Sequence, residues 1–342
     1  MLTSYAYLNA RVSIVASRLL SDTQFKELLY QPLGQASINV PTLEQYFNEP
    51  SFDSSVIEEA LMAQMLTDFE KLMRPLSGGA RELLTYWLHK CEIANLKTIV
   101  RGKNSGLNAQ QIRSRLIELG TLATLPIDDL LRTEDIGELL RNLEQTKYKS
   151  IAHQARRVFE KEHQLYSLDA ALDRHYLLGF VQRIRALSAP QRAPILPLAS
   201  IFMDRFNLLW LLRYRLTYQL SAAETYYLLV PTPYRLSRHR LKDLLEFNIL
   251  SEILTHLPEP LNTLLAGSEN IFEVDQRLMT EVRRIAWRTL TWNHFTLARV
   301  FAYFLLREME IRKIMAIIKG KKLKLKESLV SLAAEYSSTL LA

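Results

Sequence analysis

The chain has 342 residues, 48% apolar and 23% charged, with only 10 Gly and 12 Pro; this excludes a disordered or collagen-like chain and allows one large domain or two to three ordinary ones, with roughly three quarters of the unfolded surface buried. Forty-three basic against 36 acidic residues leave a formal charge of +7, a small surplus that fits a solvated surface and would also suit nucleic acid, anionic lipid or an acidic protein. The single cysteine, Cys91, excludes an internal disulfide and any multi-cysteine zinc site and fits a reducing compartment.

The N-terminal run MLTSYAYLNARVSIVASRLL carries Arg11 and Arg18 inside its only apolar stretch, so it lacks the charged-then-apolar order of a secretory leader. Further on, strand signals are sparse and no Asn-Gly or Asp-Gly hairpin joins two alternating runs. Apolar spacings of three and four dominate instead. In QIRSRLIELG, Ile112, Leu116, Ile117 and Leu119 form a helical stripe, and in LKDLLEFNILSEIL the stripe is Leu241, Leu244, Leu245, Ile249 and Ile253. Pro32, Pro41, Pro50, Pro75, Pro126, the Pro190–Pro197 group, Pro231, Pro233, Pro258 and Pro260 mark helix ends or loops, because proline lacks the helical donor and clashes with the preceding turn. The expected fold is all-α with long helices. TWNHFTLARVFAYFLL comes closest to a membrane span but carries His294 and Arg299 and is too short, so a soluble or peripheral protein is expected.

An internal repeat organises these helices. CEIANLKTIVRGKNSGL (91–107) aligns with MDRFNLLWLLRYRLTYQL (203–220) and MEIRKIMAIIKGKKLKL (309–325). Acidic Glu92, Asp204 and Glu310 coincide, as do Asn95, Asn207 and, in the third copy, Lys313. The basic positions are Arg101, Arg213 and Lys319, each followed two residues later by Lys103, Arg215 and Lys321. IEEALM around Leu61, LDAALD around Leu172 and VDQRLM around Leu278 precede the acidic residues at a near-constant offset, and FKELL, IDDLL and LKDLL lie further upstream. Three helical units, 1–123, 124–235 and 236–342, account for the chain. On the repeated helix Glu92, Leu96, Ile99 and Lys103 share one face while Arg101 points away. These charged positions either tie helices together or line a surface for a partner.

No catalytic constellation emerges. A phosphate-binding loop needs a glycine where Lys97 stands and a hydroxyl where Asn104 stands, and the second copy has no glycine there at all. The seven histidines form no i, i+4 metal pair, and no Gly-x-Ser-x-Gly elbow occurs. Nothing local lowers the pKa of Cys91, and adjacent acids such as Glu58 with Glu59 or Asp128 with Asp129 read as solvated faces. The lysine run KGKKLKLKE (319–327) either ends a helix or meets phosphate groups of lipid or RNA.

YAYLNARVSIVASRLL, the segment 92–107 and FTLARVFAYFLLREMEIRKIMAIIKGKKLKL (295–325) together resemble the C subunits of vacuolar/archaeal-type (V/A-type) ATPases, whose eukaryotic counterpart is the d subunit. The resemblance spans the whole chain. It implies a funnel of three helical units about a pseudo-threefold axis. The implied role is a noncatalytic central-stalk socket, one copy per complex, on the cytoplasmic side of the membrane. Its implied partners are the central-shaft subunits of the ATP-hydrolysing head and the membrane proteolipid ring, with no cofactor, metal, nucleic acid or small-molecule substrate. Lys313 and the missing Gly-Lys pair of the second copy depart from the pattern. A basic helical-repeat protein that binds nucleic acid is the alternative.

Overall fold

The computed structural model describes residues 2–32, 54–162 and 165–335. Among the described residues every regular element is a helix, and the only β contact is the isolated bridge between Thr232 and Ser237. In chain order the α-helices are α1 (Leu2–Ala16), α2 (Asp22–Tyr30), α3 (Ser54–Met73), α4 (Gly78–Asn104), α5 (Ala109–Arg113), α6 (Ile127–Arg132), α7 (Ile136–Leu143), α8 (Lys149–Glu162) and α9 (Leu165–Ala186). They continue as α10 (Ala189–Arg192), α11 (Leu196–Leu212), α12 (Ala222–Leu228), α13 (Arg238–Leu244), α14 (Leu250–Thr255), α15 (Leu261–Leu265), α16 (Ile271–Trp292), α17 (Leu297–Lys322) and α18 (Glu327–Glu335). Reciprocal capping boxes start α2 (Ser21 with Gln24), α5 (Asn108 with Gln111) and α12 (Ser221 with Glu224), satisfying amide donors that a helix start leaves unpaired.

The helices bearing the aligned acidic residues are α4, α11 and α17, and all three are buried along most of their length. Their apolar residues therefore surround the axis instead of forming one stripe, as expected of helices with neighbours on every side. α4 packs on α9, α11 on α16, and α17 on α3. The three meet at an aromatic cluster: Trp87 of α4 lies 5.2 Å from Phe202 of α11 and 4.7 Å from Phe301 of α17, ring centre to ring centre, and Phe180 of α9 joins all three. The contacts are tilted or edge-on apart from the stacked Phe180–Phe301 pair, arrangements that suit the ring quadrupoles at these separations. Lys90 enters this centre over the Trp87 ring, 3.6 Å from its centroid, and pairs with Glu308.

The ends of the long helices explain the glycine-lysine step. Each runs out through a residue with positive φ: Gly106 at 69°, Gln219 at 55° and Lys324 at 53°. The next residue then donates its N–H back into the helix, Leu107 to Gly102 at 2.9 Å, Leu220 to Tyr214 at 2.8 Å and Leu325 to Gly320 at 3.0 Å, which satisfies a carbonyl the helix end leaves open. A Cβ on Gly102 would stand 2.6 Å from Ile112 Cγ1, and one on Gly320 would stand 2.7 Å from Val330 Cγ2. Glycine is there so that α5 and α18 can press onto the preceding helix. The second copy has Tyr214 at that place, and its extra residue is absorbed by a π-helical turn, Arg213–Thr217, a common way for a helix to accommodate an insertion.

Two predicted stripes are broken. QIRSRLIELG stops being helical at Arg113, because the Asn95 side chain takes the Ile117 N–H at 2.7 Å and gives its own N–H to the Ile117 carbonyl at 2.9 Å, removing that peptide from the helical ladder. LKDLLEFNILSEIL divides into α13 and α14, with Asn248 held between them by the Arg215 guanidinium and Ile249 left exposed.

Gly102→Ala is expected to lower the stability of the chain by about 1–3 kcal/mol, the usual cost of overpacking a filled core, as read from urea unfolding midpoints. The double change Gly102→Ala with Ile112→Ala should recover part of that loss relative to Ile112→Ala alone, because the clash partner is gone.

Candidate functional site

The aligned acidic residues are buried, which for a carboxylate demands hydrogen-bond donors nearby. Glu92 accepts the backbone N–H of Leu125 at 2.9 Å, together with Thr124 and the Tyr148 hydroxyl. Asp204 accepts the N–H of Leu236 at 3.1 Å, with Arg235 at 3.1 Å and Ser200 at 3.3 Å. Glu310 accepts the N–H of Leu20 and pairs with Arg307. Leu125, Leu236 and Leu20 are themselves buried, and each stands one residue ahead of the N-cap of a short helix, α6, α13 and α2 respectively.

Two of the basic residues eleven positions later, Lys103 and Lys321, reach the other ends of the same short helices. Lys103 donates to the carbonyls of Leu131, at 3.1 Å, and Thr133 at the end of α6. Arg215 differs: it donates to the Asn248 side chain, in the segment between α13 and α14, and to the Leu220 carbonyl at 2.7 Å. Lys321 donates to the Gln31 carbonyl that closes α2. Eleven helical residues span about 16 Å, enough to bracket a short helix. Carboxylate at the N-terminal end and cation at the C-terminal end both complement the helix dipole.

Arg101 and Lys319 work on the opposite side of their helices. Arg101 pairs with Asp169 of α9, and Lys319 with Glu58 of α3 at 2.7 Å. Arg213, the corresponding residue of the second copy, makes no side-chain bond among the described residues. Asp275, the counterpart of Asp169 and Glu58, instead meets Arg205 of α11 at 2.7 Å, with both residues buried. Nothing in the sequence analysis singled out Asp169 or Asp275, and Glu58, read there as part of a solvated face, is instead paired with Lys319; each of the three sits three residues before one of the aligned leucines Leu61, Leu172 and Leu278. Also missed was the asparagine bracket: Asn207 holds both the N–H and the carbonyl of Val230 at 2.9 Å, as Asn95 holds Ile117. In the third copy, Lys313 lies over the Phe25 ring, 4.3 Å from its centroid, and burial moves its pKa down.

These carboxylates are engaged as acceptors and are not grouped as an acid–base pair. Cys91 is buried, which pushes its thiol up to about 12 and suppresses the thiolate. Among the described residues no cluster of His, Cys, Asp and Glu could hold a metal ion, and no helix is long and apolar enough to cross a membrane.

The sequence profile of the ATP synthase (C/AC39) subunit family matches residues 8–331. The chain belongs to this family, that of the V/A-type ATPase C subunits. It is similar to the C subunit of the A-type ATP synthase of Methanocaldococcus jannaschii, at 26% identity over 337 residues covering 94% of this chain and 83% of that protein. The corresponding protein of Methanothermobacter thermautotrophicus is 24% identical over 93% of this chain and 84% of its own length, and that of Thermococcus kodakarensis 24% over 93% and 86%. Within this C/AC39 chain the three buried carboxylates are therefore part of the body of an ATP synthase subunit.

Burial raises the Asp204 carboxyl to about 6 despite the opposing Leu236 N–H and Arg235, and it raises Glu310 in the same direction. A carboxyl whose folded pKa lies above its unfolded value near 3.8 holds its proton more tightly in the folded chain. Its contribution to stability is present below about pH 4 and is lost as pH rises through about 6. Asp204→Asn removes this titration. The variant should therefore gain on the parent, on the order of 3 kcal/mol for about two pK units, between about pH 4 and pH 7.5. The check is the pH dependence of the difference between the two urea midpoints, whatever constant offset the lost Arg235 pair adds.

Proposed function

We propose that this ATP synthase subunit is a noncatalytic part of the central stalk, a rotor socket that couples the shaft of the ATP-hydrolysing head to the membrane proteolipid ring. In this reading three helical units, 1–123, 124–235 and 236–342, stand about a pseudo-threefold axis as a funnel, one copy per complex, bound peripherally on the cytoplasmic side. The observation that carries it is the handing-on of contacts: the acidic helix of the first unit clamps the short helix of the second, that of the second clamps the third, and Glu310 closes the circuit on Leu20, 290 residues away. A body whose units are clamped in a closed cycle resists twisting between them, which is what transmission of torque requires. The relatives carry the name of an ATP synthase subunit, and the bonded carboxylates and the buried thiol offer no chemistry that calls for a substrate.

The nucleic-acid reading rested on the +7 surplus and the lysine run 319–327. Of the six aligned cations, Arg101, Lys103, Arg215, Lys319 and Lys321 are bonded to groups of this same chain, which narrows the support for that reading to Lys322, Lys324 and Lys326 of the run, which are exposed.

Deleting the protein is expected to leave the head subunits hydrolysing ATP while ATP-driven ion movement across the membrane is abolished, measured as ATPase activity and ion uptake in the same membrane vesicles. Affinity purification of the tagged chain from membranes should recover head and proteolipid subunits. Unimpaired ion pumping in the deletion strain would contradict the socket.

A further inference from the structure

We propose that the turn Lys322–Lys326 and the outer face of α18 form a surface that binds the headgroup region of an anionic lipid bilayer. No acidic residue occurs from Lys319 to Lys326. Lys319 and Lys321 are engaged in the joint to Glu58 and Gln31, but Lys324 and Lys326 are exposed and make no side-chain bond among the described residues, and Lys322 beside them is exposed. Two leucines that the fold leaves in solvent alternate with them, Leu323 at 70% and Leu325 at 45% exposed, and two more follow on α18, Leu329 at 51% and Leu332 at 44%.

The fold does not require this pattern. At the equivalent turn after α4 the chain reads Ser105-Gly106-Leu107-Asn108, and after α11 it reads Tyr218-Gln219-Leu220-Ser221, neither with a lysine. The patch is also held firmly. Val330 and Ala334 face inward, Val330 sits against Gly320, and the Leu325 N–H is bonded to the Gly320 carbonyl. α18 therefore presents Leu329 and Leu332 outward as a fixed edge.

The chemistry favours lipid over a protein partner. Lysine is depleted from the cores of protein interfaces. At the bilayer boundary its long stem lies beside acyl chains while the ammonium meets phosphate. Apolar insertion alone or a few charges alone hold a protein weakly; together they give stable attachment. Each lysine near an anionic surface contributes about fivefold in affinity at moderate salt. This inference goes beyond the socket and does not depend on it, since it concerns the isolated chain and a bare bilayer.

The test is co-sedimentation of the purified full chain with vesicles of phosphatidylcholine alone or with one third phosphatidylglycerol, at low and high salt. The expected result is binding to the phosphatidylglycerol vesicles that weakens as salt rises. The double variant Lys324→Gln with Lys326→Gln should bind on the order of thirtyfold more weakly. Gln219 holds the Lys324 backbone conformation in the second unit, so folding should survive, as checked by the urea midpoint. Leu323→Ser with Leu329→Ser should also weaken binding, by at least about tenfold. Absence of binding to phosphatidylglycerol vesicles at low salt, or equal binding by the lysine double variant, would overturn the proposal. So would loss of head or ring subunits from affinity purifications of that double variant when its vesicle binding is unchanged, which would assign the surface to a protein.

Discussion

The structure depends on one constraint: three carboxylates buried in a helical core must each find donors, and the donors come from the start of a short helix elsewhere in the chain. Glu92, Asp204 and Glu310 take the N–H groups of Leu125, Leu236 and Leu20. Removing such a partner leaves an uncompensated buried charge, which costs several kcal/mol. The arrangement is therefore all-or-none: each long helix is seated against its short helix or carries a large penalty. Lys103 and Lys321, eleven residues on, complete the grip at the other ends of α6 and α2.

Around that constraint, the departures between copies have local causes. Gly102 and Gly320 are needed where α5 and α18 press onto the long helix. Tyr214 stands where the second unit instead makes a π-helical turn. Lys313 replaces an asparagine at the joint closing on α2, where it lies over Phe25 instead of bracketing a peptide as Asn95 and Asn207 do. At the first two joints the bracketed peptide, at Ile117 or Val230, belongs to the continuous chain leading from the long helix to the next short helix. No such connecting chain leads from α17 back to α2.

The aromatic centre and the polar joints are built from different residues. Trp87, Phe202 and Phe301 bring the three long helices together, with Lys90 and Glu308 paired beside them. That buried pair adds little net stability, since desolvation offsets most of its attraction, but breaking it by losing one partner is expensive, so it disfavours other ways of stacking the helices. The more exposed pairs, Arg101 with Asp169 and Lys319 with Glu58, contribute little energy each and fix the rotation of α4 on α9 and of α17 on α3.

The sequence by itself determined the helical class, because a 3.6-residue apolar period is a local property. It also aligned Glu92, Asp204 and Glu310, and the structure finds each of the three accepting a backbone N–H. Two helical stripes break, at Leu116–Leu119 and Glu246–Ile249: at the first, the long-range bonds of the Asn95 side chain take the Ile117 backbone groups out of a ladder that local pattern alone would continue, and at the second the segment between α13 and α14 is tied through the Asn248 side chain to Arg215. Only the tertiary structure decided which group each charged residue meets. A period states which residues are equivalent but is silent on neighbours, and a buried carboxylate can be satisfied by any donor the packing brings within about 3 Å. Here packing brings the starts of α6, α13 and α2, so residues that could have faced a partner protein are engaged in holding the chain to itself.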